Sequence, residues 1–258
     1  MEQKFFFFDI DNTLAVWPEG KIPDSAQYCI DELQRRGHLV SIATGRIQVD
    51  AMRFAEQARI TNVVADGGHS ITIDGKLVSM IGMNREMCIQ YLEYLESKHI
   101  PWAVTDRNKL GRITPYKEIL EWHPDWDVFK TVVDPEFDFH RVEDFYKIYV
   151  FFKDGEEEEK DIEHMTHKLI RYGEGCVLYE PMEKALGVRN MIEHFHMKPN
   201  QVVVFGDGYN DLSMFRPEWL NIAMGNARAE LKLEADYVTT DCDKDGIYNA
   251  CKHFGWID

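Results

Sequence analysis

Four consecutive phenylalanines, Phe5–Phe8, run directly into two carboxylates that stand one residue apart, Asp9 and Asp11. An unbroken apolar run lacks the alternation of a strand with one wet face, so it predicts a strand that is covered on both faces, as in a parallel sheet. Alternate residues of an extended chain share a face, so both carboxylates can point into one small volume. A strand that ends in a turn, with an aspartate capping it, is the alternative for this segment taken alone.

Length, charge and cysteine usage restrict what the chain can be. Its 258 residues predict one large domain, or a domain with an insert. The formal net charge of −16 argues against nucleic acids and anionic membrane surfaces as partners. No apolar run reaches the length of a membrane span, the N-terminal one is too short for a signal peptide, and five scattered cysteines favour neither disulfides nor zinc. We therefore expect a cytoplasmic protein.

The spacing of apolar residues predicts a parallel sheet with crossover helices. A helical pattern follows Pro23 and ends before Gly37, and a second strand over 38–43 ends at Thr44 and Gly45. Strand, helix and strand at this spacing form a βαβ unit, whose two strands must be parallel. An Asp-Gly pair at 74–75 between two short apolar runs predicts a hairpin.

The pattern changes from about residue 83 and returns near residue 184. The segment 83–183 contains short strands, a proline- and tryptophan-rich acidic stretch, and a predicted helix from Glu156 to Arg171. We interpret it as an inserted α+β domain within a core formed by 1–82 and 184–258. In the returning core, a buried strand over 201–205 ends in the loop Gly206–Asp211.

Several strands of the core thus end in chemically active side chains. In open parallel α/β sheets the ligand site lies at the carboxyl ends of the strands. Carboxylates that meet there repel unless a cation lies between them, and Mg²⁺ prefers oxygen ligands. The residues that converge by this argument are Asp9, Asp11, Thr44, Asp207, Asn210 and Asp211, with Lys184 supplying positive charge.

Four segments of the chain resemble the signature motifs of a known superfamily. They are similar, in order, to the four motifs of the haloacid dehalogenase (HAD) superfamily, and they read FFFFDIDNTLA, SIATGR, EKALGV and VVVFGDGYND. Their order, with the insert between the second and the third, resembles Cof-type sugar-phosphate phosphatases that carry a C2B cap. The resemblance covers nearly the whole chain and is strong in the core and weak in the insert. It implies a Rossmann-like parallel-sheet α/β core and an inserted α+β cap that opens and closes over the active site.

The resemblance also implies a role for each matched residue. Asp9 would be the nucleophile that forms an aspartyl-phosphate, and Asp11 would be the general acid and then the general base. The Asp9 carboxylate, the Asp11 backbone carbonyl and Asp207 would bind Mg²⁺. Residues of the other three motifs would bind the phosphoryl oxygens and complete the phosphate and metal shells, namely Thr44, Gly45, Lys184, Asn210 and Asp211, the last of which would also anchor Lys184.

Two features depart from the pattern or lie outside it. Asp66 stands in Ala65-Asp66-Gly67-Gly68, where the family usually has Asn-Gly-Ala, so we expect an additional negative charge and a shifted substrate preference. In the insert, Arg107, Lys109 and Arg112 are candidate contacts for the non-phosphate part of the substrate. A solvated hairpin is the alternative for these three residues.

The sequence therefore predicts a Mg²⁺-dependent phosphatase of small phosphorylated metabolites, with sugar phosphates as the expected class and a monomer or weak homo-oligomer as the expected state. A phosphomutase would use the same Asp9 and Asp11. A glycosidase with this carboxylate pair is disfavoured because its two carboxyls flank a sugar and usually come from different strands. A non-catalytic sugar-phosphate sensor would not need the proton shuttle of Asp11.

Overall fold

The computed structural model describes residues 2–125, 128–153, 162 and 169–258. The chain forms two compact units: the first extends to Met80 and resumes at Met182, and the second is Ile81–Pro181. Its strands, in chain order, are β1 (Phe5–Phe8), β2 (Leu39–Ala43), β3 (Asn62–Ala65), β4 (Ser70–Ile73), β5 (Lys76–Met80), β6 (Trp102–Thr105), β7 (Gly111–Thr114), β8 (Lys130–Val133), β9 (Lys147–Phe151), β10 (Leu169–Gly173), β11 (Cys176–Tyr179), β12 (Val202–Gly206), β13 (Leu220–Ala223) and β14 (Tyr237–Val238).

The α-helices of the described residues are distributed over both units. They are α1 (Asp24–Arg35), α2 (Gln48–Ala58), α3 (Arg85–Ser97), α4 (Ile119–Trp122), α5 (Lys184–His194), α6 (Ala229–Leu233) and α7 (Gly246–His253). Helix α1 buries the face that its sequence predicted, because its apolar residues recur three and four positions apart: Ala26, Cys29, Ile30 and Leu33. No helix in the described ranges combines the length and the apolar character that crossing a membrane requires.

The first unit is built on an eight-stranded sheet in the order β14-β13-β12-β1-β2-β3-β4-β5. Strands β14 to β3 are parallel, and β4 and β5 are antiparallel additions. Strand β1 lies between β12 and β2, with Phe5 opposite Val202 and Leu39. All four phenylalanines of β1 are 0% exposed, so the prediction of a strand covered on both faces is confirmed. The fold is an α/β fold with a central parallel sheet.

The carboxyl ends of the parallel strands place the predicted site residues at one edge of this sheet. Asp9 follows β1, Thr44 follows β2 and Asp207 follows β12, and these three strands are direct neighbours. Because parallel strands all end on the same side, residues that are distant in sequence meet there. The hairpin predicted at 74–75 is confirmed as the β4–β5 turn, where Asp74 and Gly75 both have positive φ.

The second unit contains a six-stranded sheet in the order β10-β11-β9-β6-β7-β8. Its pairs are antiparallel except β7 with β8, which is parallel. Strand β8 lies in the acidic, proline-rich stretch, where no strand was predicted. The predicted helix from Glu156 to Arg171 lies mostly outside the described residues. Its end is wrong, because Leu169, Ile170 and Arg171 belong to β10.

Candidate active site

A fully buried lysine bridges two aspartates in the first unit. Lys184 is the first residue of α5, where a cation opposes the helix dipole, and its side chain is 0% exposed. Its Nζ donates to Oδ1 of Asp9 at 2.6 Å and to Oδ1 of Asp211 at 2.5 Å. A buried ammonium needs such partners, because burial removes it from water. The structure therefore brings together the end of β1, the start of α5 and the loop after β12.

Close backbone approach positions Lys184. A Cβ added to Gly187 of α5 would lie 2.3 Å from Cγ1 of Val64 in β3, so only glycine lets the helix pack this close to the sheet. The residue before the helix is fixed as well, because the backbone N–H of Glu183 donates to the carbonyl of Gly67 at 2.8 Å. The first turn of α5 is thus held against the loop after β3, and this contact directs Lys184 toward Asp9.

Asp211 is an anchor that uses both of its carboxylate oxygens. Its Oδ1 accepts from Lys184, and its Oδ2 accepts from the backbone N–H groups of Asp207 and Gly208, both at 2.9 Å. Oδ1 of Asp207 in turn accepts from the hydroxyl of Thr13 at 3.1 Å. The loop after β12 is therefore tied both to the lysine and to the loop after β1.

The charges of this cluster do not balance. Burial raises the pKa of Asp9 well above its ordinary value of 3.8; Lys184 lowers it, and the carboxylates of Asp211, Asp207 and Asp11 raise it further. Burial and Asp211 raise the pKa of Asp207 to about 7. Burial lowers the pKa of Lys184, but Asp211 and Asp9 more than offset this effect and the pKa is raised. The cluster thus carries an excess of negative charge.

This donor set fits a hard divalent cation. One carboxylate oxygen from each of Asp9, Asp207 and Asp211 lies within 4.8 Å of the others. Carboxylate oxygens are the ligands that Mg²⁺ prefers, and a bound cation would relieve the repulsion among them. The oxygens of Asp211 already accept from Lys184 and from two backbone N–H groups. The carboxylates of Asp9 and Asp207 are therefore better placed than that of Asp211 to bind an ion.

The second aspartate of the opening motif pairs with an arginine that the sequence argument did not single out. Arg46 donates from Nε to Oδ2 of Asp11 at 2.9 Å and from Nη2 to Oδ1 at 2.7 Å. Its Nη1 donates to Oδ2 of Asp50, in the first turn of α2, at 2.7 Å. Arg46 ends the segment SIATGR, and the signal that could have identified it is a cation directly after a strand whose neighbour ends in two carboxylates.

The predicted phosphate-binding residues lie in the loops beside β1. Thr44 is 1% exposed, and its Oγ1 accepts from the backbone N–H of Arg46 at 3.1 Å. Gly45 follows it in the same loop. Asn210 lies in the loop after β12, where its Oδ1 would be 2.6 Å from a Cβ added to Gly208. Their roles toward phosphate stay predictions.

Asp66 has a structural environment that the sequence did not suggest. It is 1% exposed, and its Oδ2 accepts from the hydroxyl of Ser70 at 2.6 Å and from the backbone N–H of Gln48 at 3.1 Å. The second contact satisfies a free N–H in the first turn of α2. Asp66 therefore connects α2 with β4, which accounts for a carboxylate at this position without a substrate.

The three candidate cations of the second unit differ in exposure. Arg112 is 3% exposed, and it donates to Oγ1 of Thr131 and to the carbonyl of His123. Its guanidinium also lies 4.8–5.5 Å from three aromatic ring centroids. These donors and ring contacts hold Arg112 in the interior of the unit, and its role toward a substrate stays a prediction. The side chains of Arg107 and Lys109, near Asp106, are 72% and 38% exposed, and their roles toward a substrate stay predictions.

Known proteins resemble the chain over its whole length. A family model described as haloacid dehalogenase-like hydrolase matches residues 6–251. The protein named "Putative phosphatase YkrA" of Bacillus subtilis (strain 168) is 30% identical over 263 residues, which cover 100% of both chains. The "Putative bifunctional phosphatase/peptidyl-prolyl cis-trans isomerase" of Streptococcus pyogenes serotype M6 is 28% identical over 259 residues. These cover 99% of this chain and 54% of that protein, so the chain spans about half the length of this relative.

A solved structure agrees with these matches. The structure of a HAD subclass IIB sugar phosphatase is 27% identical to the chain, with a TM-score of 0.78, and the alignment covers 99% of this chain and 100% of that one. The match over residues 6–251 agrees with the fold and with the cluster at the ends of β1 and β12. The chain belongs to the haloacid dehalogenase-like hydrolase family and is a phosphatase of that family.

Proposed function

We propose that the protein hydrolyses small phosphorylated metabolites, with sugar phosphates as the substrate class, through an aspartyl-phosphate on Asp9 and with the help of Mg²⁺. The observation that carries the proposal is the bridge from Nζ of Lys184 to Asp9 and Asp211, beside the carboxylate of Asp207. The similarity to YkrA, named as a phosphatase, and to the subclass IIB sugar phosphatase supports it.

The arrangement answers the main difficulty of this chemistry. A carboxylate nucleophile and a phosphate ester are both anions, so they repel each other. The ammonium of Lys184 lies at the nucleophile and can hold a phosphoryl oxygen there, and Thr44 can add a hydroxyl donor. Asp9 and Asp207 would hold Mg²⁺, which when bound supplies positive charge to the phosphoryl oxygens.

The reaction would proceed in two displacements at phosphorus. In the first, a carboxylate oxygen of Asp9 forms a bond to phosphorus while the ester oxygen leaves and takes a proton from Asp11. In the second, water attacks the same phosphorus, Asp11 accepts a proton from that water, and the Asp9 carboxylate leaves. The products are the free alcohol and inorganic phosphate, and both aspartates return to their starting forms.

Released phosphate tests the proposal. Purified protein is incubated with a panel of phosphorylated sugars and other small phosphate esters, with Mg²⁺ and after chelation. We expect phosphate release that requires Mg²⁺ and is lost in Asp9→Asn. Asp74→Asn is a matched control, because Asn tolerates the positive φ of this remote turn, and it should keep full activity.

The same assay separates the alternatives. A phosphomutase would move the phosphoryl group to another hydroxyl of the sugar and release little inorganic phosphate. A sensor would bind a sugar phosphate without turnover. Retained activity in a folded Asp9→Asn variant would contradict the assignment of the nucleophile.

A further inference from the structure

The side chain of Asp11 is held by a fork of two hydrogen bonds from Arg46. Nε and Nη2 of the guanidinium reach the two carboxylate oxygens at 2.9 and 2.7 Å, which is the bidentate geometry that fixes both the distance and the plane of a carboxylate. We propose that Arg46 is a positioning residue for the proton transfer by Asp11. This inference rests on the proposed function and extends it to Arg46, which contacts Asp11 and Asp50.

Arg46 is itself held from several directions. Its Nη1 donates to Asp50, which is 8% exposed in the first turn of α2, and its backbone N–H donates to Oγ1 of Thr44. The guanidinium lies 4.3 Å from the ring centroid of Phe54, a cation–π contact, and its side chain is 16% exposed. The fork therefore has a defined position before any ligand binds, because helix α2 and the end of β2 both fix it.

Asp11 needs such support more than Asp9 does. Asp9 is 5% exposed and held by the buried Lys184, whereas the side chain of Asp11 is 37% exposed in the loop after β1. A partly exposed carboxylate without a partner samples several rotamers, and general acid catalysis requires the acid within hydrogen-bond reach of the leaving oxygen. Restricting Asp11 to the rotamers that the fork allows lowers the cost of reaching that geometry.

The competing reading is that the fork only fastens α2 to the sheet. The two readings differ in what they predict for esters with different leaving groups. An alkyl phosphate has a strongly basic leaving oxygen and depends on the proton from Asp11. p-Nitrophenyl phosphate has a leaving group that departs as a stable anion and needs little protonation. A purely structural loss would affect both esters alike.

The test compares kcat/KM for glycerol phosphate and for p-nitrophenyl phosphate, because kcat/KM reports the steps up to departure of the alcohol. We expect Arg46→Gln to lose about tenfold to a hundredfold more on the alkyl ester than on the aryl ester, within the range that general acid catalysis contributes. Arg46→Lys keeps the charge but not the fork, so a smaller bias of the same sign is expected. Arg53→Gln removes another arginine that contacts Asp50, from within α2 and at 3.4 Å, and it should show no bias.

Unfolding midpoints are measured for each variant, so that a folding defect is recognised. If Arg46→Gln does not fold, the bias of Arg46→Lys between the two esters tests the inference. Equal losses on the two esters, or a larger loss on the aryl ester, would overturn the inference while leaving the proposed function in place. A wild-type protein that releases phosphate from neither ester would overturn both.

Discussion

The ammonium of Lys184 lies 2.5 Å from Oδ1 of Asp211, and both side chains are 0% exposed. An ion pair without access to water adds little stability compared with an apolar pair of the same shape, but removing one partner leaves the other charge buried and uncompensated. The pair is therefore better explained by the site than by stability. It fixes the ammonium beside Asp9 at the cost of making this part of the core sensitive to substitution.

Replacing Lys184 should destabilise the protein. In Lys184→Met the apolar stem is kept, but Asp9 and Asp211 remain buried without a cation. We expect the free energy of unfolding to fall by about 3–5 kcal/mol in metal-free buffer, the usual effect of breaking a buried pair. Denaturant unfolding measures it. Lys252→Met, on an exposed position of α7, is the control and should change stability by at most about 0.5 kcal/mol. Equal stability of both variants would contradict the argument.

Removing a carboxylate from the cluster should have the opposite effect. Asp207→Asn keeps an oxygen that can accept from Thr13 and relieves repulsion with its neighbours. We expect a higher melting temperature than wild type in metal-free buffer, and a smaller rise when Mg²⁺ is added, because one proposed ligand has lost its charge. Thermal unfolding with and without Mg²⁺ measures both. Asp243→Asn, an exposed aspartate elsewhere in the unit, should behave as wild type. An unchanged Mg²⁺ response in Asp207→Asn would exclude it as a ligand.

The parts that were predicted from the sequence are those whose signals are local. Phe5–Phe8 predicted a buried strand, and the rule that parallel strands end at one edge was enough to expect Asp9 and Asp211 together. The contact between Lys184 and Asp211 was implied by the resemblance of the four motifs. The position of Arg46 after β2 could have suggested a cation near Asp11, but the two-bond fork could not be derived, because it depends on the rotamers of two side chains in the loops after neighbouring strands.

The second unit was harder to predict for a related reason. Arg112 beside Gly111 has the sequence character of a solvated hairpin, yet aromatic rings from β9 and from Phe129 enclose it. Strand β8 has alternating exposed and half-buried residues at the edge of its sheet, so it lacks the apolar run that identifies a central strand. Tertiary contacts decided both features.

Gly206, the last residue of β12, should tolerate no side chain. An added Cβ would lie 2.7 Å from three side-chain atoms of Asp211, so Gly206→Ala must displace the anchor of Lys184. We expect kcat/KM for phosphate release to fall by about a hundredfold, as a misplacement of about 1 Å in a site can cost. Gly173→Ala is the matched control, because its added Cβ would meet no atom within 4 Å, and it should leave activity unchanged. Full activity in Gly206→Ala would show that Asp211 can move without loss.

His38, next to β2, should make stability depend on pH. It is 5% exposed, and its Nδ1 accepts from the backbone N–H of Lys4 at 3.0 Å, which requires the neutral ring. Burial, together with the positive charges of Arg36 and Lys4, lowers the pKa of His38 below its ordinary value of 6.5. Below pH 6.5 the unfolded chain therefore binds a proton at His38 that the folded chain does not bind. The stability that neutral His38 contributes is present above pH 6.5 and is lost as the pH falls toward the lowered pKa.

The variant His38→Asn isolates this effect. The Oδ1 of Asn can replace Nδ1 as an acceptor for Lys4 but does not titrate. Unfolding free energies of both proteins are measured from pH 8 to pH 5, and the wild-type value minus the variant value is taken at each pH, which cancels the carboxylates that both share. We expect this difference to be constant above about pH 7 and to shift against the wild type below pH 6.5. A difference that stays constant throughout would mean that the His38 pKa is the same in the folded and unfolded chains.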